Sequence, residues 1–100
     1  MKYLGNAFSL QMLTGNCIIS VKEINSSEVP NDVQSIIGHA DTANVVSSIL
    51  GFEVNPNRVS VKLEQGDVLY VAQVTGGRLP EGATTLPEGF NLKWMKVVIL

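Results

Sequence analysis

One hundred residues, 45% hydrophobic and 16% charged, suit one packed domain over residues 1–100 and exclude the low hydrophobicity of a disordered chain. The formal net charge of -2 supplies no general attraction to polyanions, which excludes a long nucleic acid held by counterion release. A single cysteine, Cys17, excludes an internal disulfide and a thiolate metal cluster. No apolar run reaches the ~20 residues of a membrane helix. With no signal-peptide pattern at the start, the expected location is the cytoplasm, with no membrane partner.

In chain order, "KYLGN" (2–6) predicts a short first strand. "FSLQMLTG" (8–15) follows as a short helix, with Ser9 as N-cap, Phe8 and Leu13 at staple spacing, and Gly15 as its stop. "CIISVKEI" (17–24) is rich in β-branched residues and predicts a second strand. "PNDVQSIIG" (30–38) offers Asn31 as a cap, Gln34 at the capping-box position and Gly38 as a stop, so a short helical turn is expected. From Asp41 to Leu50 the apolar Val45, Val46, Ile49 and Leu50 recur at helical spacing, with Asp41 as the natural N-cap and Gly51 beyond the end.

"RVSVKLE" (58–64) alternates Val59, Val61 and Leu63 with polar residues, which predicts a strand with one face buried. "QGD" turns into "VLYVAQV" (68–74), a near-continuous apolar run that suits a central strand covered on both faces. "GGRLPEGATTLPEG" (76–89) is an irregular loop, and "LKWMKVVIL" (92–100) a final strand. The pattern is that of an α/β (α+β) domain: a mixed sheet of about five strands with two or three short helices.

Three stretches combine polar groups with turn geometry: "GNAFSLQ" (5–11), "GHADT" (38–42) and "QVTGGRLPEG" (73–82). Asn6 and Gln73 sit at or near strand carboxyl ends, where ligands gather in open α/β sheets. If those two strands are parallel neighbours, the first and third stretches meet. Each residue also has a plain structural reading: Ser9 as a helix cap, Asn6 as a turn residue, Arg78 and Glu81 as a surface ion pair, and His39, the only histidine, as a solvated turn residue. One histidine and one cysteine, with no carboxylates clustered near either, are too few to build a zinc or two-metal site, so any reaction is expected to run without metal or other cofactor. The absence of a P-loop, a dinucleotide fingerprint and a nucleophilic-serine elbow argues against ATP hydrolysis, hydride transfer and serine esterase chemistry.

Taken together and in order, "YLGNAFSLQML" (3–13), "IIGHADTANVVSSILG" (36–51), "NRVSVKLEQGDVLYVAQV" (57–74) and "RLPEG" (78–82) resemble the viral ring nucleases that act as type III anti-CRISPR proteins, a family with relatives in bacterial mobile elements. The resemblance implies a homodimer, working in the host cell's cytoplasm, that binds cyclic tetra-adenylate across its two-fold axis and linearises it without metal. It assigns His39 as the catalytic residue, adds Glu81 to the catalytic site, and assigns Asn6, Ser9, Gln11, Gln73 and Arg78 to ligand binding. "GHADT" departs from the family's more usual Gly-His-Asp-Ser-Thr order, which displaces a hydroxyl next to the histidine. Gly76 and Gly77 lengthen the loop before Arg78, and the C-terminal region is shorter.

The implied reaction suits a single histidine. A ribose 2′-hydroxyl within the substrate attacks the adjacent phosphorus, leaving a 2′,3′-cyclic phosphate, so the protein has to bend the ring into line and protonate the departing 5′-oxygen. Two other functions stay open at this point: a protein that sequesters the same ligand without turnover, and a small protein-interaction domain.

Overall fold

The computed structural model describes residues 1–100. Its five strands are β1 (Lys2–Gly5), β2 (Ile19–Glu23), β3 (Gln34–Ser35), β4 (Val68–Thr75) and β5 (Asn91–Ile99), with one α-helix, α1 (Ala40–Leu50), and single 3-10 turns at Leu10–Met12 and Ser26–Glu28. They form one mixed sheet in the order β2-β5-β4-β1-β3. β1 runs parallel to both β3 and β4, and β5 runs antiparallel to β2 and β4.

The apolar run of β4 lies at the middle of the sheet because both of its faces are covered. Tyr70 and Ala72 join Leu4, Ile37, Ala43, Val46 and Trp94 on the face under α1. Leu69 and Val71 join Tyr3, Leu63, Val97 and Ile99 on the other face. On α1 the residues that meet the sheet, Ala43, Val46 and the partly buried Leu50, recur at helical spacing. Gly51 ends the helix in the left-handed region (φ +78), and its N–H donates to the Ser47 carbonyl at 2.9 Å.

The second face is covered by irregular backbone, with Phe8, Met12 and Leu13 from one segment and Val61 from another packed beside the buried Leu63. The expected strand over 58–64 is therefore absent as a strand. Only an isolated parallel bridge joins Leu63 to Leu13, where the Leu63 N–H donates to the Met12 carbonyl at 2.7 Å. The alternation holds only at its end, since Leu63 is buried and Val61 half-buried while Val59, on the same expected face, is exposed; the segment crosses the sheet face while β3 occupies the free edge of β1.

The helical turn expected over 30–38 is likewise replaced by extended backbone. Gln34 and Ser35 pair with Tyr3 and Leu4, and Ile36 and Ile37 pack on opposite faces of the sheet, which a strand's period of two permits and a helix's does not. The turn of helix falls earlier, at Ser26–Glu28, where the Asn25 N–H donates to the Glu28 carboxylate at 2.8 Å and the Glu28 N–H to the Asn25 carbonyl at 3.0 Å. Ser9 does cap, but only a single 3-10 turn, its Oγ accepting from the Gln11 N–H at 3.2 Å. No helix is long and apolar enough to cross a membrane.

Candidate functional site

The parallel pairing of β1 with β4, Gly5 opposite Val71, places both carboxyl ends at one end of the sheet. Asn6 follows the first, and Gln73 lies near the second. α1 enters at the same end, because Ile37 is anchored in the core and leaves only Gly38 and His39 before the helix begins. The following segment is tied there too: the Asn57 N–H donates to the Ile37 carbonyl at 2.7 Å, and Asn57 Nδ2 donates to the Ser35 carbonyl at 2.9 Å. A Cβ on Gly38 would come 3.0 Å from Arg58 Cγ, so glycine lets the Arg58 stem lie close against the backbone leading to His39.

A cavity of about 370 Å³ opens at this end, lined by Asn6, His39, Asp41, Thr42, Gln73, Val74, Gly77, Arg78 and Leu79. A second, of about 660 Å³, is lined by Gly38, His39, Ala40, Asp41, Arg58, Arg78, Leu79 and Glu81. Four residues, His39, Asp41, Arg78 and Leu79, line both, so the two are parts of one groove around His39 and Arg78. Each volume falls in the range of ordinary ligand sites, roughly 300–1,000 Å³.

The helix begins one residue before the expected cap. His39 is the N-cap, extended at φ -115 and ψ 127, and its carbonyl accepts from the Ala43 N–H at 3.0 Å. Its imidazole makes no capping bond, so the first-turn amides keep their capacity for an anion. Asp41 lies in the first turn, and its Oδ1 accepts from the Gly82 N–H at 3.1 Å. An acidic side chain is favoured there by the helix dipole even when it does not cap.

Arg78 stands on the loop between β4 and β5. Gly76 (φ +107) begins this loop, where a Cβ would come 2.8 Å from the Gly89 carbonyl oxygen. Only glycine fits that approach. The chain's two ion pairs are Met1–Asp67 and Lys2–Asp32, so the Arg78–Glu81 pair of the plain reading does not form. Arg58, Arg78 and Glu81 are exposed, and no three or more His, Cys, Asp or Glu side chains gather as metal ligands.

The groove thus brings together Asn6, His39, Gln73, Arg78 and, in its wider part, Glu81. Ser9 and Gln11 line neither part: the Ser9 hydroxyl caps its own turn, and the Gln11 carbonyl accepts from the Lys62 ammonium. Arg58 was missed, because the alternation of 58–64 absorbed it as one more outward-facing strand residue. Its position directly after the "NPN" stretch (55–57) is the available signal.

The sequence profile of the STIV B116-like family matches residues 2–92, a range that contains every groove residue named above. The chain belongs to the STIV B116-like family. It is 31% identical over 92 residues to ORF116, an uncharacterised protein of Acidianus filamentous virus 1, covering 86% of this chain and 78% of that protein. It is 29% identical over 110 aligned positions to uncharacterised protein 26 of Sulfolobus islandicus filamentous virus, covering 98% and 92%. Among solved structures, B116 of Sulfolobus turreted icosahedral virus shares the fold, with a TM-score of 0.80, 97% of each chain covered and 24% identity.

Proposed function

We propose that this chain is a metal-independent ring nuclease that binds and linearises cyclic tetra-adenylate, and so switches off type III CRISPR signalling as an anti-CRISPR protein of a virus or mobile element. The observation that carries the reading is the convergence of His39, Arg78, Gln73 and Asn6, from three separate segments, on one groove at the parallel strand ends. Two arginines and the open amides of the first turn of α1 suit phosphates. Gln73 and Asn6 suit base or ribose edges. A ring of four nucleotides exceeds one such groove, and a symmetric dimer would present two of them across its axis.

In this mechanism the groove bends the ring so that one ribose 2′-hydroxyl lies in line with its own 3′-phosphate. The 2′-oxygen bonds to phosphorus as the bond to the 5′-oxygen breaks. His39 delivers its proton to that leaving oxygen, and the products are a linear strand end with a 2′,3′-cyclic phosphate and a free 5′-hydroxyl. Arg58 and Arg78 offset the charge that develops on the phosphoryl oxygens. Glu81, exposed on the groove's wider part, receives the proton lost by the 2′-hydroxyl.

The test is incubation of the purified protein with cyclic tetra-adenylate in EDTA, with products separated by chromatography and weighed by mass spectrometry. A linear product ending in a cyclic phosphate is expected, together with a light-scattering mass near twice the 10.8 kDa chain. Tight binding without product would make the protein a sequestering one. No binding would leave an interaction domain.

A further inference from the structure

The loop that carries Arg78 and Glu81 is fastened to α1 at two points. Asp41 Oδ1 accepts from the Gly82 N–H at 3.1 Å, and Ser48 Oγ lies 2.7 Å from the Thr84 carbonyl oxygen. Asp41 and Ser48 are seven residues apart, two turns of helix, and so share one side of α1. The Ser48 hydroxyl has a single proton, and its competing acceptor, the Asn44 carbonyl, is farther away at 3.2 Å.

The helix dipole favours the Asp41 carboxylate, but an anionic ligand in the groove does not. Asp41 borders the groove beside His39 and Arg78, where its negative charge opposes an anionic ligand. Turned onto the Gly82 amide, it acts as a hydrogen-bond acceptor for the loop. Gly82 directly follows Glu81, and His39 caps the same helix that bears Asp41, so this bond sets the loop's charged groups relative to the imidazole.

We propose that Asp41 is a positioning residue: through the Gly82 amide, with Ser48 as a second fastening, α1 holds the Arg78–Glu81 loop against the groove around His39. Its consequence for turnover rests on the ring-nuclease reading. The fastening itself is tested without ligand.

Trypsin has a substrate bond in the loop, Arg78–Leu79. With Asp41→Ala, cleavage there should accelerate about fivefold or more, the effect of losing one hydrogen bond that holds the loop closed. The Gly82 amide should lose protection from hydrogen exchange in the same variant. Asp41→Asn loses the charge and its interaction with the helix dipole but keeps an acceptor oxygen, so it should match the parent within roughly twofold in both measurements. Ser48→Ala should give an intermediate rate.

Parent-like cleavage and exchange in Asp41→Ala would overturn the proposal. So would an Asp41→Asn variant as loose as Asp41→Ala, which would mean that the charge, and not the acceptor, matters. With cyclic tetra-adenylate, Asp41→Ala should lower the single-turnover rate roughly tenfold and Asp41→Asn restore it. A parent that does not open the ring at all overturns the ring-nuclease reading and leaves the fastening to be judged by trypsin and exchange.

Discussion

The two ends of the sheet treat charge in opposite ways. Where β1 and β4 begin, Asp67 is buried and its carboxylate is fully engaged: Oδ2 accepts from the Glu64 N–H at 2.9 Å and Oδ1 from the Met1 ammonium at 3.1 Å. Lys2 and Asp32 pair nearby at 2.6 Å. Where the same strands end, Arg58, Arg78 and Glu81 form no ion pair, and the imidazole of His39 caps nothing. These open groups are exposed, and no buried side-chain polar atom in the chain lacks a partner. The groove therefore keeps its hydrogen-bonding capacity in water at no folding cost, whereas a carboxylate taken out of water must be partnered. Partnered charge holds geometry at one end, whereas at the other Arg58, Arg78 and Glu81 stay unpaired at the surface.

The largest expected effect separates the two ends most sharply. His39→Ala should reduce single-turnover cleavage by ~10²–10⁴, the usual contribution of a positioned general acid, while ligand affinity and thermal stability stay near those of the parent. A variant that cleaves within about threefold of the parent would make His39 a turn residue, since that is under ~1 kcal/mol.

Next is Arg78→Ala, which should weaken binding of cyclic tetra-adenylate roughly ten- to hundredfold by calorimetry, the loss of a charge-assisted contact worth ~1.5–3 kcal/mol. Unchanged affinity would reassign Arg78 to solvent. Asp67→Ala should do the reverse and leave turnover per folded molecule alone. It should cost about 1–3 kcal/mol in urea unfolding, because the Glu64 N–H loses its acceptor; the ammonium partner, 62% exposed, adds little. A stable Asp67→Ala protein with damaged turnover would erase the distinction between the ends.

The smallest effect is expected at Asp32. The hydrogen bond from the Lys2 ammonium holds its carboxyl below the usual carboxylate value. A lowered pKa means that the ionised form is favoured by folding. Its contribution is thus present above the ordinary carboxylate range and lost as pH falls through the lowered value. Because Asp32 is exposed, Asp32→Asn should shift the melting temperature only slightly at neutral pH, with the difference vanishing in acid and in high salt. A large, salt-independent shift would show that this end relies on a buried charge that the geometry lacks.

Legibility followed the range of the signal. The run "VLYVAQV" announced a strand buried on both faces, and Leu69 and Ala72 are wholly buried on opposite sides of it. The helix that starts within "GHADT" and its glycine stop are equally plain, and with them the placing of His39 at a helix entrance. The alternation through Val59, Val61 and Leu63 points to a strand that does not form, because a period of two says nothing about whether a neighbouring strand is free to pair, and with no pairing Val59 stays exposed. The two-residue β3 lies below the length at which any periodicity exists. Asp41 was read as a cap because its residue type suits one, but the helix starts a residue earlier and its oxygen is taken by a loop amide.

By itself the sequence determined the elements whose cause is local: the β-branched and apolar runs, the helix period of residues 41–50, the glycines that turn the chain, and the polar residues left at the element ends. Only the tertiary structure decided which of those ends share a groove. The parallel register of β1 on β4 brings Asn6 to Gln73, Asn57 ties the Arg58 segment to the entrance of α1, and Asp41 reaches Gly82 across 41 positions of chain. Such contacts follow from how two faces of one sheet are packed and covered, and close packing is a property of the whole chain that no window of neighbouring residues contains.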